Sequence, residues 1–220
     1  MRPLLLLSAT IALVGCAGKI DYIRPTQVSV LAQNTKEIAK SRDAVWNAAV
    51  PELGKRFFVI NNLDKSSGLI NLSYSGDPEE YIDCGRIVSF VQNARGKRTY
   101  DFPASSAQQS YEVMDANGLF GIDRRMSLEG RVNVIFEEVS PSQTRVTVNT
   151  RYVVQKQHTA RNVGGGAPQT STETIQFNSG GQGAFSNSST NPTQCVATGQ
   201  LDVESQQVVE AQSADGWKGL

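Results

Sequence analysis

Two stretches in the second half of the chain alternate apolar and polar residues with a period of two. In Arg131-Val-Asn-Val-Ile-Phe-Glu, residues Val132, Val134 and Phe136 share a face; in Arg145-Val-Thr-Val-Asn-Thr-Arg-Tyr-Val-Val, residues Val146, Val148, Tyr152 and Val154 do the same. Successive side chains of a strand point to opposite sides, so this period predicts strands with one buried and one wet face. The segment between them, SPSQT at 140–144, is made of turn residues, which joins the two as an antiparallel hairpin. A chain built on such a hairpin must cover its apolar face.

The covers are sought in amphipathic segments. Ser41 suits a helix N-cap and Asp43 the positive first turn, and Trp46, Ala49, Val50, Leu53 and Phe57 recur at intervals of three and four. Pro51 removes a backbone donor, which predicts a kink or an early end, with Gly54 as a stop. Strands are expected at Phe57–Ile60 and Leu69–Tyr74 around the turn NNLDKSSG, and at Arg86–Val91 after the polar turn GDPEEYIDCG. Residues 93–123 hold no sustained period and read as a surface excursion with one short strand at most. Residues 161–194 are rich in Gly, Ser and Asn and read as mobile loops interrupted by one strand, TETIQF at 172–177. Leu201, Val208 and Val209 suggest a closing helix. The expected fold class is therefore α+β: a single domain at 35–212, a curled antiparallel sheet packed on a helix in the N-terminal half, with a C-terminal helix and a tail at 213–220.

Composition narrows function mainly by exclusion. Lys plus Arg and Asp plus Glu are 21 each, so no net charge argues for nucleic acid. The N-terminus departs from globular composition: Arg2 precedes an apolar run from Leu4 to Val14, broken only by Ser8 and Thr10. A helix needs about 20 apolar residues to span a bilayer, so this run suits a secretory signal instead. Leu13-Val14-Gly15-Cys16 resembles the lipobox of bacterial lipoproteins. That resemblance implies removal of residues 1–15, acylation of Cys16 and a tether at 16–34; two or three acyl chains hold a protein firmly where one does not. Ala17 behind the cysteine implies the periplasmic side of the outer membrane, with the inner membrane as the alternative. The covalent lipid on Cys16 is the only bound group expected, and no cofactor is. With Cys16 acylated, Cys84 and Cys195 remain as an even pair in an oxidising compartment and are expected to form a disulfide, the alternative being two unrelated buried thiols.

A second resemblance covers about 30 residues. Val45-Trp46, Leu53, Phe58-Val59-Ile60 and Gly68-Leu69-Ile70 resemble a segment of the helix-grip outer-membrane assembly lipoproteins of the BamC type. It implies a sheet curled against a long helix and a role among envelope proteins. Chemistry-bearing clusters are sparse. His158 in QKQHTAR reads as an exposed loop histidine, and Glu79, Glu80 and Asp83 as a solvated turn without calcium-loop spacing. One histidine and two distant cysteines supply no close-spaced metal ligands. Trp46 and Phe57 read as core residues, or as the lining of an apolar pocket between sheet and helix. The functional expectation is a non-enzymatic envelope assembly or adaptor lipoprotein that meets the membrane through its anchor and binds other envelope proteins, not nucleic acid. The alternative is a carrier or sensor of a hydrophobic ligand.

Overall fold

The computed structural model describes residues 17–26, 34–56, 59–186 and 193–214, with side chains described through residue 210. Its spine is the hairpin anticipated from the alternation, and it is much longer than anticipated. Strand β9 (Gly118–Ser140) and strand β10 (Gln143–Asn162) pair antiparallel from Ser140 and Gln143 at the turn to Phe120 and Asn162 at the far end. The shared register puts Ile122, Arg124, Met126, Leu128, Val132, Val134 and Phe136 on the same face as Val146, Val148, Tyr152, Val154 and Lys156. All of these are buried.

Shorter strands widen the hairpin into a seven-stranded sheet. Near the turn, β2 (Thr35–Ile38) pairs with β10, and β4 (Leu69–Gly76), flanked by β3 (Val59–Asp64), pairs with β9. At the far half, β8 (Gln108–Asp115) pairs with β9 and β11 (Gln169–Asn178) with β10. A second antiparallel sheet has the order β1 (Ala17–Ile23), β6 (Arg86–Asn93), β7 (Gly96–Pro103), and a third the order β12 (Gln182–Ala184), β13 (Gln194–Ala197), β5 (Ile82–Asp83).

Three covers share the apolar face. Helix α1 (Arg42–Lys55) and helix α3 (Gln200–Ala214) pack on each other and over the turn half. There the Trp46 ring meets Phe136 edge-on at 5.3 Å, and Leu201 sits over Gly130, where a Cβ would lie 2.6 Å from its Cδ2. Helix α2 (Pro78–Tyr81) is a single turn capped by the Asp77 carboxylate, which accepts from the Glu79 N–H at 3.0 Å. The third sheet brings Phe185 against Lys156. The second sheet packs chiefly on β8, where Phe102 and Tyr111 lie 5.0 Å apart and the Ser89 hydroxyl donates to the Glu112 carbonyl at 2.6 Å.

This architecture overturns the α+β, helix-grip expectation. Among the described residues there are thirteen strands in three antiparallel sheets and three helices of 14, 4 and 15 residues. The reason is length. A 14-residue helix is about 21 Å long at 1.5 Å per residue, whereas a 20-residue strand runs to roughly 65 Å at about 3.3 Å per residue. One helix cannot cover such a face, and β structure covers the remainder. Three local expectations change with it. Residues 17–23 are a paired strand and not tether. The excursion at 93–123 is β7, β8 and the start of β9, and the Gly/Ser/Asn-rich region holds β11, β12 and the start of β13. Helix α1 runs through Pro51 to Lys55, so neither Pro51 nor Gly54 ends it.

Candidate functional site

Strand β1 begins at Ala17, one residue after Cys16, which itself lies outside the described residues, and pairs with β6 from Ala17 opposite Gln92 to Ile23 opposite Arg86. Its Tyr22 hydroxyl shares its hydrogen between the carbonyls of Cys84 (3.0 Å) and Gln194 (2.9 Å) and accepts from the Gln194 N–H (2.8 Å). Burial pushes this phenol above its ordinary range. Beside it Cys84 and Cys195 form a disulfide, S–S 2.04 Å, closing a separation of 111 positions with both residues fully buried. Strand β1 of the second sheet and the third sheet are thus joined at one point.

The other sequence-derived candidates separate. Trp46 is buried in the core against Phe136, and Phe57 lies outside the described residues. Glu79 and Glu80 are exposed on α2, while the Asp83 carboxylate accepts from the Gly85 N–H at 2.7 Å. No group of three metal-ligating side chains occurs among the described residues. His158 is not an exposed loop residue: it sits on β10 opposite Arg124, partly buried, and burial first, then Lys156 and Arg124, hold its pKa down.

Around His158 lies a group of buried ions that the alternation conceals. The Lys156 ammonium pairs with Glu173 at 2.9 Å and stands 4.5 Å over the Phe185 ring. Arg124 is 3% exposed; its Nη2 donates to the Met126 sulfur at 3.4 Å, while Nε and Nη1 have no partner among the described residues. Burial lowers its pKa, opposed only by the Tyr111 and Tyr22 phenols. A second buried polar group lies under α3. Asp202 Oδ1 accepts from the Thr150 hydroxyl at 2.5 Å, while its Oδ2 and the Tyr152 hydroxyl have no hydrogen-bond partner among the described residues. Burial raises the pKa of both.

The opposite, wet face of the far half carries a polar hollow of about 330 Å³. It is lined by Gln108 of β8, Asp123, Arg124 and Arg125 of β9, and Gln157, Thr159 and Arg161 of β10. The register explains the grouping: Gln108 and Gln157 flank Arg125, and Ser110 and Thr159 flank Asp123. The Ser110 hydroxyl donates to Asp123 at 2.6 Å, and Thr159 shares a 2.9 Å hydrogen bond with Thr170. An adjoining hollow of about 250 Å³ shares Asp123 and Arg161 and adds Tyr100, Tyr111 and Glu112 beside Gly121. These are short-range polar groups converging on open space, an arrangement suited to binding. No protein-family model, curated protein or solved structure matches the chain. No described helix is long and apolar enough to cross a membrane.

Proposed function

We propose that this chain is a bacterial lipoprotein, acylated on Cys16 and held on the periplasmic side of the outer membrane, where it acts as a non-enzymatic assembly or adaptor protein of the envelope. The observation that carries the reading is the position of β1: the residue after Cys16 already belongs to a strand paired along its length with β6. A lipid on Cys16 would therefore hold the β domain against the bilayer without a flexible arm, and firm anchoring needs the two or three chains that a lipoprotein cysteine bears. The buried disulfide supports an oxidising compartment. Trp46 packs within the core, so the adaptor role is preferred to the hydrophobic carrier. The hairpin, roughly 65 Å in contour, supplies a long polar face for other envelope components.

The test expresses the full chain and Cys16→Ser in a bacterial host with a labelled fatty acid. Label in the wild type alone, and release of the variant from membranes, is the expected result. Label retained by Cys16→Ser refutes the anchor. The adaptor role is decided separately by cross-linking in intact membranes, where an uncross-linked monomer refutes it.

A further inference from the structure

The hollow on the wet face of the far half differs from the rest of the surface in its arginines. Other strand arginines on the protein's surface are engaged: Arg86 with Asp101 at 2.7 Å, Arg98 with Glu112 at 2.5 Å, Arg131 with Glu129 at 2.8 Å, Arg145 with Glu37 at 2.9 Å, and Arg151 with Gln176. The side chains of Arg125 and Arg161 make no hydrogen bond or ion pair among the described residues, and both line the same hollow. Arg125 stands opposite Gln157, and Arg161 is four positions further along β10, about 13 Å along the strand. Gln108 and Gln157 flank Arg125 on the neighbouring strands, Thr159 lies on β10 between Gln157 and Arg161, and the Asp123 carboxylate opposite Thr159 is fixed by Ser110.

We infer that this hollow binds an acidic oligosaccharide. Two guanidinium groups in want of acceptors call for carboxylate, which Arg grips with paired N–H donors. Amide, hydroxyl and carboxylate groups offer donors and acceptors together, which matches an array of sugar hydroxyls better than a bare anion. The Asp123 carboxylate in the wall works against a densely charged polyphosphate such as nucleic acid. The partly exposed Tyr100 in the adjoining hollow provides an amphipathic ring against which the apolar face of a sugar ring can lie. A volume of about 330 Å³ is at the small end of ligand sites, which run from about 300 to 1,000 Å³, so one or two sugar units are held at a time. The inference does not depend on the lipid anchor.

The experiment titrates the detergent-solubilised full chain with a glucosamine–muramic acid disaccharide, its carboxyl-reduced analogue, and inorganic phosphate, following backbone amide shifts. The acidic disaccharide is expected to shift the amides of Gln157 and Thr159 and to bind at least tenfold more tightly than either control. Arg125→Gln with Arg161→Gln is expected to weaken it at least tenfold. Arg131→Gln, on the same face but outside the hollow, leaves it unchanged. Equal binding of the neutral analogue, equal binding of phosphate, unchanged binding in the double variant, or no shift at all each overturn the inference.

Discussion

Reducing the Cys84–Cys195 bridge should destabilise the protein mainly through its unfolded chain. The two cysteines are separated by 111 positions, and the chain-entropy relation for a loop of that length gives about 4.8 kcal/mol at 25 °C. That is a large share of the roughly 5–15 kcal/mol that stabilises an ordinary domain. Without the bridge, the link between β13 and β5 rests on two residue pairs, Val196 with Asp83 and Ala197 with Ile82, together with the Thr198 N–H donating to the Tyr81 carbonyl and the Tyr22 hydroxyl that spans Cys84 and Gln194. Urea unfolding of the oxidised and reduced wild type, alongside Cys84→Ala with Cys195→Ala, measures the effect. The reduced protein should lose about 4–5 kcal/mol, a fall in melting temperature of roughly 10–20 °C for a chain of this size. Its m-value should rise, because an unbridged denatured chain exposes more surface. A loss below about 1 kcal/mol with an unchanged m-value would refute the reasoning.

Arg124→Met replaces a buried charge, two of whose nitrogens have no partner among the described residues, by an apolar chain of similar length, and the variant should be about 1–4 kcal/mol more stable in urea; destabilisation would mean that the guanidinium is compensated. Asp202 has a folded pKa raised by burial above the ordinary 3.8. Its favourable contribution is full below pH 3.8 and falls as pH rises through the folded value, since the unfolded chain ionises first. Asp202→Asn should therefore match the wild type near pH 3 and exceed it at pH 7, and parallel stability curves would contradict this. Gly130→Val forces a side chain into the space occupied by Leu201, between Tyr74 and Tyr152 on the neighbouring strands. It should cost about 1–3 kcal/mol through overpacking, and a neutral effect would show that α3 can shift freely.

The sequence by itself carried the parts of the fold that depend on local period and local chemistry. Alternation located the hairpin at 131–137 and 145–154 and its turn, the spacing of Trp46, Ala49 and Leu53 located α1, and Leu201, Val208 and Val209 located α3. Parity of cysteines behind Cys16 identified the Cys84–Cys195 pair. The far half of the hairpin stayed hidden because its buried row contains Arg124, Lys156 and His158, and a charge at a core position breaks an apolar pattern as surely as a turn does. The same gap concealed the hollow: Arg125, Gln157 and Arg161 look like ordinary wet-face residues until the register of β8, β9 and β10 brings them together. Tertiary structure alone decided the fold class. Period reports which face of an element is buried but not how long the buried face becomes once strands distant in sequence align. That length, too great for a 14-residue helix, is what requires three sheets.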